Sequence, residues 1–345
     1  MSQTQPVLHL AAPRGFCAGV DRAIDVVEMA LQVHGAPVYV RHEIVHNRHV
    51  VDDLRAKGAV FTDDLADVPQ GAVVIFSAHG VSPAVRAEAA ERGLRALDAT
   101  CPLVTKVHLE ALRLARQGFS IVLVGHRHHV EVQGTLGEAP EAIVVVESVA
   151  EAETLAVPDP DQVAFITQTT LSVDDCRAIV EVLRRRFPGI REPAKGDICY
   201  ATQNRQNAVK ELARRCRTVF VVGAPASSNA NRLVEVARNL GARAYLIESP
   251  GDIRPEWLEP GASVGVTASA STPEAIVQAC VARLREMGGY RVEPVRLVEE
   301  RVAFPLPGDL LAAARAPGLD VGGGNERAAE RAAAEARPQD PRADA

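Results

Sequence analysis

No apolar run in this sequence approaches the roughly 20 residues that a membrane-spanning helix needs. Residues 1–6 are polar and lack the charged-then-apolar pattern of a secretory leader. Positive charge is not in surplus: 38 Lys and Arg stand against 44 Asp and Glu, so no basic footprint points to nucleic acid. Six cysteines in 345 residues are too few for a disulfide scaffold. None of them forms a Cys-x-x-Cys pair or a closely spaced ferredoxin run. A glycine-rich nicotinamide or flavin fingerprint is also missing. These absences leave a cytoplasmic protein, not inserted in a membrane, whose thiols are free or metal-bound. At 47% hydrophobic residues it can bury full cores, and its length predicts two or three domains.

One arrangement occurs three times. The stretch Pro13-Arg14-Gly15-Phe16-Cys17-Ala18-Gly19-Val20-Asp21-Arg22 follows an apolar run at 7–12 that reads as a strand. It leads into Val20, Ile24, Val27 and Leu31, apolar positions at helical spacing. Asp98-Ala99-Thr100-Cys101-Pro102 follows the run 94–97 and opens a helix at 103–117. Asp197-Ile198-Cys199-Tyr200 precedes a helix around 204–216. Each cysteine thus stands at a helix start, where the dipole favours a thiolate and where side chains of an α/β fold reach the ligand crevice. The three together read as one metal site. Cys176, Cys216 and Cys280 have apolar neighbours at helical spacing and read as core residues. Three thiolates leave one coordination position open. Zinc completed by His or water, and a four-iron, four-sulfur cluster with one free iron, both fit that pattern.

Every unit also supplies two polar strand ends. His46-Asn47 follows a strand at 37–45, and Ser77-Ala78-His79-Gly80 follows one at 72–76. The loops at 125–131 and 167–170 end strands of the second unit, and those at 223–229 and 267–273 end strands of the third. Strands alternating with helices imply parallel sheets, whose ligands gather at the carboxyl ends of the strands. The expected organisation is α/β throughout. Units span 1–100, 101–196 and 197–287, an arm at 288–315 returns to the first, and a disordered tail occupies 316–345, where 325–337 could form a weak helix. Around the centre stand His46, His79, His129, Glu131, Thr169, Thr170, Ser227, Ser228, Asn229 and Ser271. Hydroxyls, amides, imidazoles and helix N-termini suit a diphosphate. Glu131 is the candidate acid, because a carboxyl in a closed pocket near phosphate has a raised pKa. His9, His34, His42, His49 and His108 read as structural; His126 and His128 are undecided.

At these residues the chain closely resembles the 4-hydroxy-3-methylbut-2-enyl diphosphate reductases, the last enzymes of the non-mevalonate isoprenoid pathway. The matching stretches are 13–23, 39–47, 76–81, 98–108, 167–175, 197–205, 227–232 and 265–268, within a likeness covering most of 7–305. The resemblance implies one [4Fe-4S] cluster on Cys17, Cys101 and Cys199, at the centre of three pseudo-threefold α/β units in a trefoil. It implies that His46, His79, His129, Thr169, Ser227, Ser228, Asn229 and Ser271 bind substrate. Glu131, acting through Thr169, is by the same token the proton donor. The implied reaction is the iron–sulfur-dependent reductive dehydroxylation of the allylic diphosphate to isopentenyl and dimethylallyl diphosphate. Its electrons would come from a ferredoxin or flavodoxin. The family usually has Pro where this chain has Val130 and Gly where it has Ser269. Two rivals differ in kind. A quinolinate-synthase-like three-cysteine dehydratase would call for bidentate Arg in the pocket, and a non-catalytic zinc or iron sensor would differ in metal content.

Overall fold

Several helices in this chain begin where the sequence supplies a side-chain cap. The side chains of Asn47, Ser82, Ser148, Ser172 and Ser227 each accept a backbone N–H from the first turn that follows. The structure, a computed structural model, describes residues 5–315. β1 (Val7–Ala12) leads into α1 (Ala18–His34), β2 (Val38–Arg41), α2 (Arg48–Ala56), β3 (Ala59–Thr62), β4 (Val73–Phe76), α3 (Pro83–Glu91) and β5 (Arg95–Asp98). Next come α4 (Pro102–Arg116), β6 (Ser120–Val124), α5 (Val130–Leu136), β7 (Ile143–Val146), α6 (Val149–Thr154), β8 (Val163–Thr167) and α7 (Val173–Arg186). Then follow α8 (Tyr200–Arg215), β9 (Thr218–Val222), α9 (Ser228–Asn239), β10 (Arg243–Ile247), β11 (Val264–Ala268), α10 (Glu274–Gly288), β12 (Arg291–Arg296) and α11 (Gly308–Arg315). The tail expected from 316, with its weak helix at 325–337, lies outside the described residues.

The strands form three sheets, and every pairing is parallel. β4, β8, β9 and β11 are buried along their whole length, the pattern of sheets covered on both faces. The sheet orders are β3-β2-β4-β5, β7-β6-β8 and β10-β9-β11-β1-β12. Each contains the same motif: the first strand after a cysteine helix lies in the middle, the second on one side, the third on the other.

The strand before each cysteine then adds to the third strand of the unit before it. β5, which precedes Cys101, pairs with β4, and Arg191, upstream of Cys199, bridges to Ala164 of β8. By the same rule β1, which precedes Cys17, pairs with β11, with Leu8 opposite Val264. Residues 7–12 therefore sit in the sheet of 218–268 rather than with 38–98, a different division from the one by sequence position. β12 lies on the other side of β1, and α11 packs on α1, where Leu306, Leu310 and Ala314 join the core of Ile24, Val27 and Val40. One strand is shorter than expected. β2 stops at Arg41 because His42 turns to φ 60°, which frees 42–47 to form the loop carrying His46.

Candidate active site

The three units present their cysteines in equivalent ways. Cys17, Cys101 and Cys199 are the N-cap residues of α1, α4 and α8. Each backbone N–H donates to a carbonyl in the loop after the third strand of the preceding unit: Cys17 to Ala270 (3.3 Å), Cys101 to Ala78 (3.0 Å), Cys199 to Thr169 (3.0 Å). All three line one central cavity. The thiols approach closely because residue 19 is Gly; a Cβ there would lie 2.6 Å from Cys101 Sγ and 3.8 Å from Cys17 Sγ.

Burial pushes the Cys101 thiol up to about 12 and the Cys199 thiol up to about 11, with the neighbouring Cys17 adding to both. Cys17 is raised by burial as well. Burial thus outweighs the helix dipole expected to favour the thiolates, and three such thiols call for a positive group among them. Among the described residues no three His, Cys, Asp or Glu side chains are placed to hold one metal ion. Cys176, Cys216 and Cys280 are buried in separate hydrophobic cores.

Beside the cysteines the cavity lining includes imidazoles, hydroxyls, an amide and a carboxyl, but no Lys or Arg. His46 and His79 stack with ring centroids 4.3 Å apart, and His129 meets them edge-on at 5.7 and 5.9 Å. His129 caps α5, and its Nδ1 accepts the Glu131 N–H at 3.2 Å, which places the proton of the neutral ring on Nε2. Burial lowers its pKa to about 4, with His46 and His126 adding to the effect. His79 is likewise lowered well below the usual imidazole value, by burial first and the neighbouring imidazoles second. His46 Nδ1 lies 2.9 Å from the Glu43 carboxylate.

Glu131 is 3% exposed on the first turn of α5. The Thr169 N–H donates to its Oε1 at 2.6 Å, and the Thr169 hydroxyl donates to Oε2 at 3.0 Å. Burial raises its pKa to about 7 against the opposing pull of those two hydrogen bonds.

On the third unit Ser227 caps α9, and the hydroxyls of Thr170 and Ser228 are 3.1 Å apart. Both polar atoms of the Asn229 side chain are buried without a partner. An orphaned amide of this kind costs roughly 1–3 kcal/mol, so its position makes sense as a ligand contact. Ser271 donates to the His46 carbonyl at 3.1 Å, tying the first unit to the third.

Every site residue named from the sequence lines this cavity: the three cysteines, His46, His79, His129, Glu131, Thr169, Thr170, Ser227, Ser228, Asn229 and Ser271. His9, His34, His42, His49 and His108 are not among the lining residues, and neither are His126 and His128. Sequence reasoning passed over two contributors. Gln168, 1% exposed, donates to Thr170 Oγ1 at 2.9 Å and accepts the His126 N–H at 3.0 Å. Thr202 accepts from the Cys199 thiol at 3.2 Å and donates its N–H to that sulfur at 3.4 Å. Gln168 could have been found from its place between two threonines at a strand end; Thr202 gave no signal beyond its spacing from Cys199.

Residues 8–285 match the family model described as LytB protein. A relative from Bordetella pertussis, 4-hydroxy-3-methylbut-2-enyl diphosphate reductase, is 60% identical over 298 residues, covering 86% of this chain and 92% of the relative. The protein of the same name from Aromatoleum aromaticum is 59% identical over 301 residues, covering 87% and 96%. Among solved structures, the E-1-hydroxy-2-methyl-but-2-enyl-4-diphosphate reductase from Plasmodium falciparum superposes with a TM-score of 0.89 at 40% identity, covering 91% of this chain and 99% of that one. A second, titled as (E)-4-hydroxy-3-methyl-but-2-enyl diphosphate reductase, the terminal enzyme of the non-mevalonate pathway, gives 0.58 at 32% identity, covering 81% and 99%.

Proposed function

The chain belongs to the LytB family, and from that membership we propose that it is a cytoplasmic enzyme converting (E)-4-hydroxy-3-methylbut-2-enyl diphosphate to isopentenyl and dimethylallyl diphosphate. It is an oxidoreductase. Each turnover takes up two electrons and two protons and releases the allylic hydroxyl as water. One observation carries the assignment to this cavity: three helix-capping cysteines and a carboxyl with a pKa of about 7 line the same walls.

Cys17, Cys101 and Cys199 are assigned as ligands of one [4Fe-4S] cluster. The fit rests on three half-buried thiols around one floor, the remaining cysteines lying buried in cores, and on the room that Gly19 leaves between them. Bound there, the cluster would supply electrons and a Lewis-acidic iron for the substrate hydroxyl.

The chain's own groups do the rest. The hydroxyls of Ser227, Ser228 and Ser271, the Asn229 amide and the N-terminus of α9 bind the diphosphate, which fixes the allylic carbon chain over the floor. His46 faces the same group. His79 and His129, neutral when the cavity is empty of anion, offer N–H donors; a diphosphate beside them raises their pKa and draws protons in. Glu131, half protonated at neutral pH, gives its proton to the departing hydroxyl, with the Thr169 hydroxyl as the link. Electrons arrive from outside, from a ferredoxin or flavodoxin. With no Lys or Arg in the wall, a carboxylate substrate lacks the bidentate partner it would need.

Anaerobic purification with iron and sulfide counts tests this reading. Equal iron and sulfide at one cluster per chain, and both products on adding the allylic diphosphate with a reductant, are expected. One zinc per chain, or cluster-loaded protein that leaves the diphosphate unchanged, would overturn it.

A further inference from the structure

Arg205 heads the side chains that the fold buries completely, and it lies outside the wall just described. It stands on α8, the helix capped by Cys199. Its guanidinium donates to the Gly15 carbonyl from Nε (3.1 Å) and Nη2 (2.7 Å), to the Phe16 carbonyl (3.1 Å), and to the Ala201 carbonyl from Nη1 (3.0 Å). Its counter-charge is Glu300, 3.1 Å from Nη1, with a side chain only 3% exposed. Asn204 donates to the same carboxylate at 2.9 Å. On the same helix, Tyr200 Oη accepts the Ala18 N–H at 3.3 Å. The first turns of α8 therefore hold the chain on both sides of Cys17.

A cation taken fully out of water is costly unless it is paired and hydrogen-bonded, and breaking such a pair is strongly destabilising. An apolar side chain would fill the space more cheaply. What Arg adds is a rigid fork that fixes several carbonyls at once, together with a permanent charge. Glu300 lies on the segment after β12, so the arm following the last strand supplies the anion that keeps the guanidinium in place.

We propose that Arg205, held by Glu300, is a positioning residue that clamps the Cys17 loop onto the helix capped by Cys199. The proposal rests on the cluster assignment above.

Three full-length variants test it. Arg205→Lys keeps the charge and loses the fork. Glu300→Gln keeps the shape and removes the counter-charge. The double variant Arg205→Met with Glu300→Gln removes the pair without leaving a lone buried charge. Hydrogen exchange of the peptide spanning 13–20, measured with and without iron, is expected to quicken in Arg205→Lys and in the double variant. Iron loss to a chelator should quicken by about 10–100-fold in the same two. Exchange at 13–20 is expected to quicken in Glu300→Gln as well, because the guanidinium loses the anion that holds it in place. A general loss of thermal stability with unchanged exchange at 13–20 would reduce Arg205 to a core ion pair and overturn the proposal. If the parent held no iron and sulfide, the cluster assignment would fail, while the exchange arm would still decide the clamp.

Discussion

Replacing Glu131 by Gln separates its chemistry from its place in the fold. The carboxyl accepts from the Thr169 N–H at Oε1 and from the Thr169 hydroxyl at Oε2. Gln can present its oxygen to the N–H and its amide hydrogens to the hydroxyl oxygen, so the loop should keep its shape. What is lost is an acidic proton. General acid catalysis is typically worth ~10²–10⁴-fold, and a fall in turnover of that size is expected with the iron content unchanged. The pKa gives a second, independent magnitude. Burial raises Glu131 from 4.5 to about 7, so in the parent its ionisation costs about 3 kcal/mol of folding stability. The sign follows from the direction of the shift. That cost is absent below about pH 4.5, grows as the pH rises, and is fully present above about 7. Gln escapes it, so the variant should match the parent at pH 4.5 and exceed it by up to about 3 kcal/mol at pH 8. Anaerobic urea titrations across that range measure the difference, and steady-state rates of the parent should fall with rising pH above about 7. Retained turnover in Glu131→Gln, or a stability difference that does not change with pH, would show that Glu131 is neither the donor nor held in a desolvated place.

Cys17→Ser, Cys101→Ser and Cys199→Ser are each expected to lose iron, whereas Cys176→Ala, Cys216→Ala and Cys280→Ala keep it; iron analysis of the six proteins checks both halves. Gly19→Ala puts a methyl where Cys101 Sγ approaches to 2.6 Å, so iron content should drop although no ligand has changed. Asn229→Ala removes a buried amide that has no partner, so thermal stability should hold or rise while KM for the allylic diphosphate increases. A loss of stability with an unchanged KM would refute the ligand role of Asn229.

The positions that bear on chemistry were legible because they are local. A Cys after a short apolar run and before a helical pattern announces an N-cap, and Cys17, Cys101 and Cys199 all occupy one. Polar strand ends such as Thr169-Thr170 and Ser227-Ser228-Asn229 announce themselves in the same way. What the sequence hid is non-local. Nothing in Val7–Ala12 says that its neighbours are β11 and β12, since an apolar strand carries no address for a partner more than 250 residues away. Arg205 hid for a related reason. In a helix running Gln203-Asn204-Arg205-Gln206-Asn207 a charged residue reads as a solvated face, yet the carbonyls of Gly15 and Phe16 are its partners.

The place of β1 has a consequence for the order in which the protein is made. Among the described residues its sheet partners are β11 and β12, so this early strand waits for residues 264–296 before it can pair. The loop bearing Cys17 is anchored at the end of that strand and held by Arg205, whose guanidinium pairs with residue 300. The earliest of the three thiols in synthesis is therefore the last to be fixed. A nascent chain halted after the second sheet displays Cys17 and Cys101 but has not yet made the walls that bring them together. On the cluster assignment proposed above, loading of iron and sulfide would then follow translation of nearly the whole described chain, and a protein arrested before β11 should emerge without metal.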